Sequence, residues 1–245
     1  MSLWSYHSTA SLGNPSAKIS RRVTRRWHRP RPFRRRRLGG LMEDALDPTR
    51  TALVVFDMLE CYRPRVEAAG AVEPIRRLIA ACREYDIPIC YARADHRLDG
   101  ADANRTVTDT DEAFRPWGPD GPEFRFPHPP ETRVVMSEFA PQAGDYDIPK
   151  HRWSAFHQTS LDLSLRSRGI DTVLLVGGST HVGIASTAYA ARDRDYQVVI
   201  VRDGLTGYEP QRSFFADQVF PRMCRVRTVD QVAAVLAGHR STAAR

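Results

Sequence analysis

The amino-acid sequence predicts an α/β fold, a three-layer α/β/α sandwich around a central parallel sheet of about six strands, Rossmann-like in plan. Three observations predict it. Continuous apolar runs such as T-A-L-V-V-F at Thr51–Phe56 lack the alternation of a half-exposed strand and suit strands buried on both faces. From Thr51 to the end of the chain such runs alternate with segments of helical apolar spacing, and that alternation makes a parallel sheet with helices on both faces. The third is Val173–Gly183, V-L-L-V-G-G-S-T-H-V-G, which runs on into I-A-S-T-A-Y-A-A: a buried strand, a tight turn at paired glycines and a helix N-terminus. Ligands of α/β proteins bind at such junctions. Glycine allows close backbone approach there, and the first helical turn leaves N–H groups aimed outward at an anion or oxyanion.

In chain order, Thr51–Phe56 is the first strand, with Asp57 at its C-terminal end. Val72–Tyr85 repeats apolar residues at Ile75, Leu78, Ile79 and Cys82, with Pro74 in the first turn, and predicts an amphipathic helix. Ile87–Tyr91 is the second strand, with Arg93-Ala94-Asp95-His96 just past its end. From Arg97 to Pro130 periodicity is lost and Trp117-Gly118-Pro119 lies in the middle; so long a connection is expected to be functional or lid-like. Val134–Met136 and Tyr146–Ile148, separated by Pro141 and Gly144, predict a small hairpin or short strands, with Lys150 directly after. Ser160–Ser167 is a helix opened by Thr159 and ended by Gly169. Thr172–Val176 is a strand, Ile184–Arg194 a helix, and Gln197–Val201 a strand capped by Asp203. Gln211–Phe220 reads as helix, Arg225–Arg227 as a short edge strand and Val229–Ala237 as the terminal helix. Catalytic residues are expected where Asp57, Lys150 and the 177–183 turn fall, at the carboxyl ends of strands.

The net charge of +7 over 245 residues is unevenly placed. Residues 1–40 hold eleven Lys and Arg and no Asp or Glu, which leaves −4 for residues 41–245. The chain therefore divides into a disordered Arg-rich tail, 1–41, and one globular domain, 42–245. The tail reads as an arm for nucleic acid, a transit peptide, an anionic-membrane anchor or, most plainly, an over-long gene start upstream of Met42. Nucleic acid is thus expected as a partner only through the tail. No apolar run approaches the roughly 20 residues of a membrane span. Cys61, Cys82, Cys90 and Cys224 form no C-x-x-C pair or zinc spacing, which predicts reduced thiols and a cytoplasmic location.

Taken together, V-V-F-D-M, P-K-H-R-W-S-A-F and G-G-S-T-H-V-G-I-A-S-T-A-Y-A-A resemble the isochorismatase-like hydrolase superfamily, from about Thr51 to the C-terminus. In the family's cysteine members an Asp after the first strand, a Lys before S-A-F and a Cys at the helix start form a triad. Asp57 and Lys150 match the first two, and Gly183 stands at the third, which closes the covalent route through that position. Isochorismatases and aminodeoxyisochorismate hydrolases also carry Gly there, in a similar A-H-V-G context, and cleave a vinyl ether without a protein nucleophile. The resemblance therefore implies an acid-catalysed hydrolase of a small polar molecule of secondary metabolism, with Asp57 as acid, Lys150 assisting and no cofactor.

The resemblance also implies a substrate pocket drawn from Gly178, Ser179, His181, Gly183 and the W-G-P segment at Trp117. Isochorismatase D-M-Q is here Asp57-Met58-Leu59, and Gln-Pro-Gly after the second strand is Arg93-Ala94-Asp95-His96, so a different small molecule is expected, with Arg93 and His96 available to a carboxylate. For Gly183 two readings stand: close packing of helix on sheet, or room for water or substrate. Asp95 and His96 are adjacent rather than spaced by one as in the nicotinamidase metal motif, so no metal is expected. A homo-oligomer, dimer or larger, follows from the family. Two alternatives remain: an inactive member serving as a binding or scaffold protein, and an amidohydrolase using a displaced nucleophile such as Cys61.

Overall fold

The computed structural model of the chain describes residues 46–102, 109 and 128–243. Trp117, most of the connection after Arg97 and the 1–41 tail lie outside the described residues.

Six parallel strands, β1 (Thr51–Phe56), β2 (Ile89–Ala94), β3 (Tyr146–Lys150), β4 (Thr172–Gly177), β5 (Gln197–Leu205) and β6 (Arg225–Arg227), form one sheet in the order β3-β2-β1-β4-β5-β6. The alternation of side chains along a strand divides β1 between two cores. Ala52, Val54 and Phe56 pack with Leu161 and Leu165 of α3 (Leu161–Ser167) and Ala185 and Ala188 of α4 (Ala185–Arg192). Leu53 and Val55 pack with Val66 of α1 (Arg63–Ala68), Ile75 and Leu78 of α2 (Val72–Glu84) and Val232 and Leu236 of α6 (Val229–Ala243). The three predicted layers follow from that division. Among the described residues no helix is long and apolar enough to cross a membrane.

The chain leaves β1 towards β2 and β3, then returns to place β4 on the other side of β1. Adjacent strands whose connections run opposite ways leave a crevice at their carboxyl ends, which is where ligands bind in this topology. Asp57 and the Gly177-Gly178 turn border that crevice.

Several element boundaries differ from the sequence reading. β2 continues to Ala94 because Arg93 and Ala94 pair with Pro149 and Lys150 of β3, past the point where charged residues end the apolar pattern. The 134–148 segment does not form a hairpin. Val135 bridges Leu59 alone, while Tyr146–Lys150 joins β2 in parallel as an edge strand, a place that tolerates Pro149 and its missing N–H. Lys150 is thus the last strand residue rather than the one beyond it. The 184–194 helix begins as a π turn, Thr180–Ile184, before α4. The 211–220 helix splits into α5 (Gln211–Phe214) and a π turn, Phe215–Val219, closed by a 3-10 turn containing Pro221. The Asp203 carboxylate does not end β5 but accepts from the Val229 N–H at 3.0 and 3.1 Å, at the N-terminus of α6. At α3 the start shifts by one residue, with Ser160 in place of Thr159 as N-cap and Thr159 Oγ1 accepting from Leu161 N at 3.3 Å from just outside it, while Gly169, at φ +71°, follows the C-cap as expected and donates to Arg166 O at 3.0 Å.

Candidate active site

Asp57 ends β1 in the left-handed region at φ +52°, a conformation Asp tolerates better than most residues. Its N–H still donates to Ala92 O at 2.8 Å, so the ladder holds the turn in place. The side chain lies in the crevice with the residue 9% exposed. Oδ1 accepts from the Ala94 N–H at 2.6 Å, and Oδ2 accepts from Lys150 Nζ at 2.7 Å. Burial raises the Asp57 pKa above the ordinary carboxylate value, against the opposing pull of Lys150, the Ala94 N–H and His96.

Lys150 comes from the edge strand and is 4% exposed. It is the one lysine after residue 41 in a chain otherwise rich in arginine. Beyond its bond to Asp57, Nζ stands 4.2 Å from the centroid of the Phe56 ring.

The 177–183 turn meets the end of β1 directly. Gly177 has φ +111°, and a Cβ there would fall 2.1 Å from the Phe56 carbonyl oxygen. Gly178 donates to that same oxygen at 3.2 Å, and the Gly178–Ser179 peptide is cis. The π turn is tied to β5: Thr206 O accepts from Thr180 N at 3.0 Å and from Thr180 Oγ1 at 2.6 Å. Of the first-turn N–H groups expected to face a ligand, Thr180 N is taken by Thr206 O, and Val182 N and Ile184 N each donate to Ser179 O at 3.2 Å. Ser179 Oγ is enclosed with no hydrogen-bond partner among the described residues, a state that calls for a bound group or water. Gly177→Ala is expected to lower Tm by about 5 °C or more, because it combines a backbone collision with a strained φ; thermal unfolding of the variant checks this.

The remaining expected pocket residues fare differently. A Cβ built on Gly183 would lie 2.3 Å from Cε1 and 2.6 Å from Cζ of Phe56, so the close-packing reading describes this position and the space for water or substrate is filled by the ring. Arg93 is not left for a substrate carboxylate: Nε and Nη2 donate to the two carboxylate oxygens of Asp147 at 2.6 and 2.8 Å. Parallel pairing of β2 with β3 sets Asp147 opposite Tyr91, two residues from Arg93's own partner and on Arg93's side of the sheet. His181 is half-buried beside Phe215, ring centroids 6.3 Å apart. The Cys61 thiol is pushed up to about 12 by burial and by the nearby Asp57 charge, which keeps it protonated near neutral pH and weighs against a displaced nucleophile there.

His96 does sit near the Asp57–Lys150 pair, within a group the sequence did not suggest. Its Nδ1 lies 3.5 Å from Asp102 Oδ1, and His151 Nδ1 lies 3.4 Å from Asp102 Oδ2. One donor atom from each of the three falls within 4.8 Å of the others, a two-histidine, one-carboxylate set of the chemistry that suits a first-row transition cation. In the sequence the acidic residue beside His96 is Asp95. In the structure the Asp95 backbone carbonyl contacts His151 instead, and Asp102 brings the carboxylate. Burial lowers the His96 pKa, with Asp102 pulling the other way.

Residues 51–231 match the isochorismatase domain. The chain belongs to the isochorismatase family. It is 30% identical over 187 residues to an uncharacterized isochorismatase family protein, YwoC, of Bacillus subtilis, covering 76% of this chain and 94% of that one. Phenazine biosynthesis protein PhzD1 of Pseudomonas aeruginosa is 28% identical over 207 residues, covering 83% and 94%. The solved structure of an isochorismatase family protein from Burkholderia thailandensis superposes with a TM-score of 0.66 at 30% identity, covering 79% and 98%. Membership makes the chain a hydrolase of the isochorismatase type, and the six-stranded parallel sheet with its helices agrees with that fold.

Proposed function

We propose that this isochorismatase-family hydrolase works without a protein nucleophile, adding water by acid catalysis to a small polar molecule that carries a vinyl ether or comparably acid-labile C–O or C–N bond. The observation that carries the reading is the buried Asp57–Lys150 pair, in which burial raises the carboxyl pKa while position 183 bears no side chain. A carboxyl held towards its neutral form can donate a proton, and a glycine cannot be acylated.

On a vinyl ether the steps are as follows. The Asp57 carboxyl gives its proton to the enol carbon, and the C=C electron pair forms the new C–H bond. The adjacent carbon becomes an oxocarbenium centre, which water captures, and the proton lost by water returns to the Asp57 carboxylate. The hemiketal then breaks its C–O bond, releasing an alcohol and a carbonyl compound. Lys150 orients Asp57 through Oδ2 and balances its charge once the proton has left. Ser179 Oγ, enclosed and without a partner among the described residues, supplies a hydrogen bond to the substrate. The similarity to a protein named for phenazine biosynthesis supports a small-molecule substrate of secondary metabolism.

The test is a panel of carboxylated enol ethers and amides assayed across pH. Enol ethers are expected to turn over and amides to remain. Because the working form of Asp57 is the protonated one, kcat/KM should be flat at low pH. It should fall about tenfold per pH unit above an inflection displaced upward from about 3.9, the ordinary Asp value. Amide turnover, or a rate that rises with pH through that region, contradicts the proposal.

A further inference from the structure

We propose that Phe56 is a positioning residue whose ring holds the Lys150 ammonium against Asp57 and occupies the volume that a side chain at 183 would need, so that positions 56 and 183 are coupled. The inference takes Asp57 and Lys150 as the working pair, as in the function proposed above, but its test needs no turnover.

Two contacts made by one ring carry it. Phe56 is 1% exposed at the end of β1, one residue before Asp57. Its face lies under Lys150 Nζ at 4.2 Å from the centroid, within the distance at which an ammonium is attracted to the negative face of an aromatic ring. Its Cε1–Cζ side lies against the π turn, where a Cβ on Gly183 would meet Cε1 at 2.3 Å. The Phe56 backbone is fixed as well, because its carbonyl accepts from Gly178. A residue at 183 can therefore be accommodated only if the ring leaves, and when the ring leaves Lys150 loses the surface beneath it. An aliphatic side chain at 56 could fill part of the space but offers no negative face.

The chain contains two lysines, Lys18 and Lys150, so [13C,15N]-lysine labelling of the full chain reads Lys150 almost alone. Protons above a ring face are shielded, so the Lys150 Hε and Hζ signals are expected upfield in the parent. That shift should be lost in Phe56→Leu and kept in Phe56→Tyr. The coupling is read from Gly183→Cys, Phe56→Val and the double variant. Cysteine against the ring overpacks the site, and Gly183→Cys alone should lower Tm by about 3–10 °C. The double variant should melt higher than the sum of the two single shifts, or restore soluble protein if Gly183→Cys alone does not fold.

A thiol freed at 183 would sit beside an ammonium and ionise readily. It should react with iodoacetamide at least about tenfold faster in the double variant than in Gly183→Cys. The background is quiet, because burial pushes Cys61, Cys82, Cys90 and Cys224 each up to about 12. Additive Tm shifts, equal alkylation rates, or Lys150 signals unchanged in Phe56→Leu would each overturn the proposal. A parent inert towards every enol ether, with the coupling intact, would instead count against the proposed reaction and leave the role of Phe56 standing.

Discussion

Asp57→Asn is expected to reduce kcat on a vinyl ether by about 10²- to 10⁴-fold, the usual contribution of a positioned general acid. Asn keeps a side-chain oxygen for the Ala94 N–H that Asp57 Oδ1 accepts at 2.6 Å, so the turn at the end of β1 has its anchor. It has no acidic proton to give to the enol carbon. KM should change much less than kcat, because the lost interaction acts in the transition state rather than in binding. Steady-state kinetics on the folded variant, with Tm measured alongside, checks the result.

Lys150→Met should have the largest effect on stability. Removing one partner of a buried ion pair leaves the other uncompensated, at a cost of about 3–5 kcal/mol, and the pair here is 4% and 9% exposed. The loss depends on pH with a definite sign. Asp57 already has a folded pKa raised by burial, and without the ammonium it rises further. A group with a raised folded pKa contributes stability that is fully present below its unfolded pKa and is lost as pH rises through the folded one. The variant should therefore approach the parent's stability at acid pH and fall furthest behind at alkaline pH. Denaturant unfolding at a series of pH values measures this. Asp57→Asn combined with Lys150→Met should be less damaging at alkaline pH than Lys150→Met alone, because no buried charge is then left unpaired.

Much of this arrangement is legible in the amino-acid sequence. Apolar runs at Thr51–Phe56 and Thr172–Val176 read as strands buried on both sides, and they put Asp57 and Gly177 at the same end of the sheet. The motif around Lys150 adds the third side of the crevice. Phe56, however, reads as one more core residue at the end of an apolar run, and only the packing of β1 under the π turn shows that its ring separates Gly183 from Lys150. The ion pair of Arg93 with Asp147 depends on how β2 and β3 are aligned, across more than fifty intervening residues. Asp102 stands in a stretch without periodicity, so nothing in the sequence placed it between His96 and His151. The anchoring of Thr180 by Thr206 likewise joins two elements whose proximity follows from sheet order alone.

The most direct test of acid-catalysed addition of water is turnover of a vinyl ether in D₂O, and separately in H₂¹⁸O, with the products read by mass spectrometry and NMR. Proton transfer to carbon predicts one deuterium on the former enol carbon and ¹⁸O in the carbonyl product, with none in the alcohol. Alcohol that carries the ¹⁸O, or a carbonyl product without deuterium at that carbon at early times, would contradict the account.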